Sequence, residues 1–280
     1  MQLRADFNQS KNCMKAKKFV LLLLLMFSVI CMAYGDNFQH PFYFTQGSWA
    51  KYSQVSYENL PEQTSPDQQY WNFPQISNPE TTITYEYKDP KDTEYDEIED
   101  LQVVEEHSNN QAMLFKQDKH KTWLRGMVEP NNEILITFQE PIPLYKRPIK
   151  KGDSLGSKTQ RNFSFRGFSF TGNGYHYTKV QEQGSLVINK DTIPNALKIK
   201  TVQDYNDEGP LGIDVETYVE SYSWITPDNP FPVVTIDSLY RNDPIFEESE
   251  VNLRIIEDFD LSNEEESSFH PKNLLEEFKP

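Results

Sequence analysis

Short runs of β-branched and aromatic residues, separated by turn residues, constrain this chain more than any other feature of its sequence. Residues 81–87 are the first clear example, and from Leu101 onward such runs recur at short intervals, whereas no long segment has a helical period before residue 260. Runs of this kind are typical of strands in antiparallel sheets. The pattern predicts an all-β, mostly antiparallel fold, either a twisted sheet or half-barrel or a sandwich, with few short helices. The strand-like runs are 81–87, 111–115, 122–128, 133–138, 184–188, 196–202, 215–224, 231–238 and 251–256.

Turn and breaker residues divide these runs. The acidic stretch 89–100 contains Pro90 and predicts an exposed loop, and 152–156 predicts a turn. Residues 141–148 hold three prolines, which are excluded from central strands because proline cannot donate to the ladder. Near the end of the given sequence, Pro271 predicts the start of a short helix over 272–278.

Four phenylalanines alternate with small or polar residues around an Arg-Gly pair. The spacing predicts one strand with a bulge at Arg166-Gly167. A face packed on the core is the favoured interpretation, and a ligand-binding aromatic face for lipid or glycan is the alternative. On that alternative the candidate ligand-binding residues are Phe165, Phe168 and Phe170, which together with Phe163 form the pattern.

Two further aromatic residues share a face by alternation. Tyr222 and Trp224 lie on one side of a strand, with residues 233–236 as the predicted antiparallel partner. We expect Trp224 to pack into the main core, and a ligand site lined by Tyr222 and Trp224 is the alternative.

The first 35 residues have the order of a secretory signal peptide. Three lysines precede an apolar run over 19–29, and small residues, Ala33 and Gly35, follow at the −3 and −1 positions of a cleavage site. The run is shorter than the roughly 20 residues of a membrane-spanning helix. Residues 1–35 are therefore predicted to be the signal peptide, 36–260 a single β-rich domain and 261–280 an acidic tail. Met14 is an alternative initiator to Met1.

The leader predicts export to the periplasm or the exterior. Cleavage after Gly35 is favoured over lipid modification of Cys31, because Ile30 is not the small residue that such a site needs. Both cysteines, Cys13 and Cys31, lie in the leader, so no disulfide is expected in residues 36–280. A chain of this length can bury enough apolar surface without one.

Charge excludes two classes of partner. The leader holds five Lys/Arg and one Asp, so residues 36–280 carry 22 basic and 42 acidic residues. A general nucleic-acid binder needs a basic surface, and an anionic membrane surface would repel this chain. We expect neither nucleic acid nor a stable membrane span, and the charge favours solubility.

Motifs for common chemistry are lacking in the sequence. The five histidines show no helical zinc spacing, and no P-loop, dinucleotide or serine-hydrolase motif is present. Residues 204–209 partly copy a calcium loop, but the twelfth position is Val215 instead of glutamate, so an ordinary turn is favoured. We therefore predict no catalytic residues, no metal ligands and no cofactor.

Three elements resemble secreted proteins of the Bacteroidota cell envelope. They are a proline-rich stretch before Gly152-Asp153-Ser154, a hairpin with strands 184–188 and 195–201, and Tyr222-Ser223-Trp224 before Phe231-Pro232-Val233. The hairpin also resembles the half-barrel of LolA-like periplasmic carriers. In two respects the chain departs from that family: an acidic segment stands where many relatives have a sorting domain, and the turn expected at 172–174 runs into Tyr175-His176-Tyr177.

The resemblance implies a fold and a compartment but no chemistry. We expect a non-enzymatic envelope protein that binds a hydrophobic or peptide ligand, or another envelope protein. The alternatives are a carboxylate-dependent hydrolase acting on glycan or peptide, and a structural or adhesion module. Two carboxylates about 5–9.5 Å apart in one cleft would favour the hydrolase.

The leader yields the first testable prediction. Cleavage after Gly35 leaves Asp36 as the N-terminus of the exported protein, because signal peptidase requires small residues at −3 and −1. N-terminal sequencing of the exported protein measures this directly. A lipid-modified Cys31 would contradict it and would show that the protein is tethered to a membrane.

Overall fold

The structure is a computed structural model that describes residues 44–56, 70–74, 76–129, 134–226, 229–242 and 247–261. The predicted signal peptide, the acidic tail and the helix over 272–278 lie outside the described residues. The strands within them are β1 Trp49–Ser56, β2 Tyr70–Phe73, β3 Thr81–Lys88, β4 Val103–His107, β5 Ala112–Gln117, β6 Lys121–Glu129, β7 Ile134–Lys146, β8 Ser154–Phe165, β9 Phe168–Ile188, β10 Asp191–Glu208, β11 Asp214–Thr226, β12 Asn229–Asn242 and β13 Glu247–Asp260.

All of these strands belong to one sheet. Its order is β10-β11-β12-β13-β1-β3-β4-β5-β6-β7-β8-β9, and β9 also pairs with β10, so the sheet closes into a barrel of 12 strands. Every neighbouring pair is antiparallel except β2, which adds in parallel to residues 185–188 of β9. The predicted all-β, antiparallel class is confirmed. Of the half-barrel and the sandwich that the sequence left open, the structure forms neither, because the sheet closes.

The phenylalanine segment is a hairpin instead of a single bulged strand, so the predicted bulge is wrong. Strand β8 ends at Phe165, β9 begins at Phe168, and Arg166 and Gly167 form the turn with φ of 50° and 81°. Positive φ at both central residues matches the twist of a two-residue hairpin. The two arms keep the same alternation, which is why the pattern did not distinguish the two geometries.

The prediction that proline keeps 141–148 out of a central strand is also wrong. Strand β7 contains Pro141 and Pro143. It pairs with β8 only at Thr137 and Phe138, and its pairing with β6 shifts register between the partners of Leu124 and Gly126. The hydrogen-bond ladder of β7 is therefore interrupted around the prolines. Because proline lacks a backbone N–H, it can be accommodated where the ladder is already interrupted.

Three predicted loops or turns differ from the structure. The stretch 89–100 contains a 3₁₀ turn, Pro90–Asp92, with Pro90 buried, so it is not a wholly exposed loop. Residues 172–174 lie inside β9, and β10 continues to Glu208, so the predicted turn at 204–209 begins only at its last residue. Long-range pairing between β9 and β10 extends both strands through sequences that favour turns locally.

The interior of the closed sheet is a hydrophobic cluster with contributions from most strands. Large members include Tyr52, Tyr87, Phe138, Tyr205 and Phe231, each almost fully buried. The alternation of side chains sends every second residue inward, so a closed sheet of this length fills its interior with aromatic and aliphatic groups.

A second cluster occupies the opposite face of β11, β12 and β13. It contains Tyr222, Trp224, Val234 and Ile236, and Trp71 of β2 covers it. The predicted pairing of the Trp224 strand with residues 233–236 is confirmed, since Trp224 faces Val234. The expectation that Trp224 packs in the main core is corrected: it is fully buried, but in this second cluster, because β2 crosses the outer face and covers it.

The buried indole generates a stability prediction. Replacing Trp224 with alanine removes edge contacts with Trp71 and Phe73 at 6.1 and 4.8 Å between ring centroids. We expect a loss of about 3–5 kcal/mol in the free energy of unfolding. Denaturant unfolding measures it, with Leu211→Ala as control because Leu211 is 95% exposed. Equal unfolding midpoints for Trp224→Ala and wild type would contradict the assignment to a packed cluster.

Candidate functional site

The candidate site lies where the β8–β9 hairpin and the turn after β10 meet at one end of the sheet. Thr171 of β9 faces Glu208 of β10, so the hairpin residues before Thr171 and the turn after Glu208 are neighbours. We call this site the aromatic tip and define it as Phe163, Phe165, Phe168, Phe170 and Leu211.

The aromatic tip has a packed base and an exposed edge. Phe163 and Phe170 face each other across the hairpin, with their rings 5.0 Å apart and 1° from parallel. Phe165 contacts the interior cluster, and the guanidinium of Arg166 lies 5.0 Å from its ring. Phe168 is 50% exposed and Leu211 is 95% exposed. Phe168 and Leu211 thus expose apolar surface to solvent, while Phe163, Phe165 and Phe170 beneath them are packed.

A buried ion pair supports the tip from below. Arg161 donates from Nε to Oδ1 of Asp207 at 2.8 Å and from Nη2 to Oδ2, and Nη2 also contacts the Thr217 hydroxyl at 3.4 Å. The two side chains are 5% and 1% exposed. Two parallel bonds fix the guanidinium plane, so the pair joins β8, β10 and β11 at the base of the tip.

The same guanidinium connects the ion pair to the aromatic rings. It lies 4.0 Å from the centroid of Tyr205 and 6.0 Å from that of Phe163. Such cation–π contacts are strengthened when water is excluded. Burial raises the pKa of Tyr205 despite the opposing charge of Arg161, so its phenol stays neutral beneath the arginine.

Two glycines of β9 make room for this arrangement. A Cβ on Gly172 would overlap the Asp207 carboxylate, and a Cβ on Gly174 would overlap the ring of Tyr205. Glycine in a strand often marks such a close approach. The glycines of the predicted turn therefore leave space beside β9 for the Arg161–Asp207 pair and for the ring of Tyr205.

The structure divides the five candidate residues from the sequence between two places. It brings Phe165, Phe168 and Phe170 together in the aromatic tip, while Tyr222 and Trp224 lie in the second cluster under β2. Sequence reasoning missed Leu211 and the Arg161–Asp207 pair. No local signal indicated them, since the paired residues are 46 positions apart and Leu211 stands alone in a turn.

A second group of titratable side chains, around His107, lies inside the sheet. His107 Nε2 lies 2.6 Å from Glu105, Nδ1 lies 3.1 Å from Gln111, and the imidazole stacks on Tyr85. Because both ring nitrogens already have protein partners, this group does not resemble an open acid–base site. His176 is also buried, which lowers its pKa to about 4 and keeps it neutral.

The partial calcium motif does not assemble its oxygen ligands. Asp204 and Glu208 are exposed on one face of β10, whereas Asp207 is buried on the other face and bonds to Arg161. Among the described residues, no group of three or more histidine, cysteine or carboxylate side chains is arranged to hold a metal ion.

No family model, no curated protein and no solved structure matches this chain. Within the described part of the chain, no helix has the length and apolar character needed to span a membrane.

The buried ion pair generates a double-mutant prediction. Arg161→Met and Asp207→Leu should each lower the free energy of unfolding by about 3–5 kcal/mol, because each leaves an uncompensated buried charge. The double variant should be more stable than either single one, since it removes both charges. Denaturant unfolding of the four proteins gives the coupling energy, and strictly additive losses would contradict the pairing.

Proposed function

We propose that this chain is an exported, non-enzymatic binding protein of the cell envelope that docks an apolar, basic peptide segment of a partner on the aromatic tip. The leader pattern and the envelope-protein resemblance support the compartment. The observation that carries the proposal is that Phe168 of the hairpin and Leu211 of the adjoining turn are both exposed above a preorganised base.

Leu211 is unusual in both its exposure and its backbone. It is 95% exposed and has φ of 64°, in the left-handed region that bulky residues rarely adopt. Residues held in this way tend to occur at binding and switch sites, where the strain is offset by the surrounding structure. A leucine exposed in this conformation, on the turn that adjoins the hairpin, supports a contact role better than a packing role.

The rigid base favours binding without rearrangement. The Phe163–Phe170 stack and the Arg161–Asp207 pair hold the tip before any partner arrives, so little conformational entropy is lost on binding. Aromatic anchors of this kind often dominate the energy of a protein interface.

Charge around the tip selects the kind of partner. The carboxylates of Glu208, Asp214 and Glu216 are exposed on both sides of Leu211. Arg166 of the hairpin turn is the one basic residue within 163–171 and 203–217, so exposed carboxylates outnumber exposed cations there. A segment with an apolar anchor flanked by basic residues complements this surface. An anionic membrane does not, because the carboxylates repel it.

The interior of the sheet supports a surface site over an internal one. Aromatic and aliphatic side chains fill it, and a pocket bordered by Leu144, Ile149, Leu155 and Val180 has a volume of about 10 Å³. That volume is close to the minimum for one water molecule. An acyl chain held inside the sheet therefore receives no support from this pocket.

A binding assay tests the proposal. The probe is a short fluorescent peptide of alternating leucine and lysine, and a leucine–glutamate peptide controls for charge. Phe168→Ala and Leu211→Ala should each weaken binding of the leucine–lysine peptide about tenfold or more, as expected for truncated interface anchors. Tyr70→Ala is the matched control, since Tyr70 is 52% exposed and β2 pairs with the far end of β9.

Each other outcome overturns the proposal. Equal binding by wild type, Phe168→Ala and Leu211→Ala would place the peptide elsewhere on the acidic surface. Binding to anionic vesicles that depends on Phe168 and Leu211 would replace the peptide with a membrane. Binding of neither probe would favour the structural or adhesion module.

A further inference from the structure

A row of tyrosines crosses the outer face of the sheet. Tyr175 of β9 lies opposite Asp204 of β10, which lies opposite Tyr218 of β11. Tyr240 of β12 continues the line beside Tyr218. Residues directly opposite each other in antiparallel strands share a face, so these side chains form one line across four strands. We call this line, together with Tyr177 of β9, the tyrosine row.

Two residues of the row expose their side chains to solvent. Tyr175 is 41% exposed and Tyr218 is 38% exposed, whereas Tyr222, further along the same face of β11, is buried in the second cluster. Two strand spacings separate Tyr175 from Tyr218, so their backbone positions are roughly 10 Å apart. Rigid, amphipathic tyrosine side chains supply contact area at little cost in conformational entropy. The row therefore presents two aromatic contact points with the exposed carboxylate of Asp204 between them.

Neighbouring groups hold both exposed rings in place. The ring of Tyr175 extends over Gly156 of β8, where a Cβ would come within 2.7 Å of its hydroxyl oxygen. It lies 14° from parallel to the ring of Tyr177, with 6.2 Å between the centroids. The Tyr218 hydroxyl donates to Glu220 at 2.9 Å, and that carboxylate also accepts from two other side chains of the same face. Contacts of this kind fix the rings before a ligand arrives and lower the entropic cost of binding.

A line of amide side chains runs parallel to the row, on the side nearer the aromatic tip. Gln160 of β8 lies opposite Asn173 of β9, and Asn173 lies opposite Asn206 of β10. All three are exposed, and Gln160 Nε2 donates to Asn173 Oδ1 at 2.9 Å. Each amide offers donors and an acceptor without net charge. Aromatic rings and uncharged hydrogen-bonding groups thus form adjacent lines, about 7 Å apart along the strands.

We propose that the tyrosine row is a binding site for a neutral oligosaccharide that lies across the strands. A pyranose ring has an apolar face of C–H groups, which packs on an aromatic ring, and a rim of hydroxyls, which donate and accept hydrogen bonds. In this arrangement one sugar packs on Tyr175 and another on Tyr218, and hydroxyls between them donate to Asp204. Hydroxyls on the rim nearer the aromatic tip bond to the amide line.

Charge favours a neutral sugar over the alternatives. Asp204 and the exposed Glu216, which lies opposite Asn206, repel an acidic glycan. Lys158 is exposed and lies opposite Tyr175, so this face is not uniformly acidic and attracts a basic peptide less than the surroundings of Leu211 do. A ligand without charge meets neither repulsion.

Calorimetric titration with neutral hexasaccharides tests the site. The probes are cellohexaose, xylohexaose, mannohexaose and maltohexaose, and hexagalacturonate is the acidic control. Wild type should bind at least one neutral probe saturably and more tightly than the acidic one. Tyr175→Ala and Tyr218→Ala should each weaken that binding about tenfold or more. Tyr70→Ala, which truncates an exposed tyrosine of β2, should leave it unchanged.

A conservative variant separates the ring from its hydroxyl. Tyr175→Phe keeps the aromatic ring and should retain most of the affinity that Tyr175→Ala loses. No saturable binding of any neutral probe, unchanged binding in both alanine variants, an equal loss in Tyr175→Phe and Tyr175→Ala, or tighter binding of hexagalacturonate would each overturn the proposal. If Tyr175→Ala weakens binding of the leucine–lysine peptide and of no sugar, a peptide replaces the glycan. Phe168→Ala should keep the sugar response, so this test is independent of the aromatic tip.

Discussion

The pairing of β9 with β10 is the constraint on which the rest of the structure depends. These two strands pair from Asp191 to Glu208, and this one ladder converts a sheet with two edges into a closed one. Closure removes exposed strand edges and gives the sheet an inside. Every inward side chain must then fill the enclosed space, and the aromatic residues of β1, β3, β7, β10 and β12 do so.

Closure also explains why the buried charge of Arg161 is paired. Inside the sheet a charge cannot reach water, so it needs a partner within the protein. Arg161 of β8 forms an ion pair with Asp207 of β10, and Gly172 of the intervening β9 leaves space for the contact. This pair sits beneath the hairpin that carries Phe163 and Phe170. The requirement to satisfy a buried charge thereby fixes the base of the surface that we propose for partner binding.

Apolar side chains on the outer face are buried in a different way, because other segments of the chain cover them. Strand β2 lays Trp71 and Phe73 over Trp224, and residues Tyr95 and Ile98 pack near Val104 and Leu114. These covers bury apolar groups that alternation sends outward. They also bury the indole Nε1 atoms of Trp71 and Trp224, which have no hydrogen-bond partner among the described residues.

The sequence by itself determined the class of the fold and much of its strand content. The period-two runs from 81 to 256 lie in strands, and the pairing of Trp224 with the 233–236 segment followed from alternation and a short connection. It also selected three residues of the aromatic tip, because phenylalanines on alternate positions share a face whether the segment is one strand or a hairpin.

The tertiary structure alone decided closure, the hairpin at Arg166-Gly167, the passage of β7 through Pro141 and Pro143, and the Arg161–Asp207 pair beneath the aromatic tip. Each depends on which strands become neighbours. Arg161 meets Asp207 only because β9 lies between β8 and β10, and Trp224 is buried outside the main core only because β2 covers the outer face. Alternation is a local property that a sequence records, whereas strand adjacency arises from contacts between residues far apart in the chain.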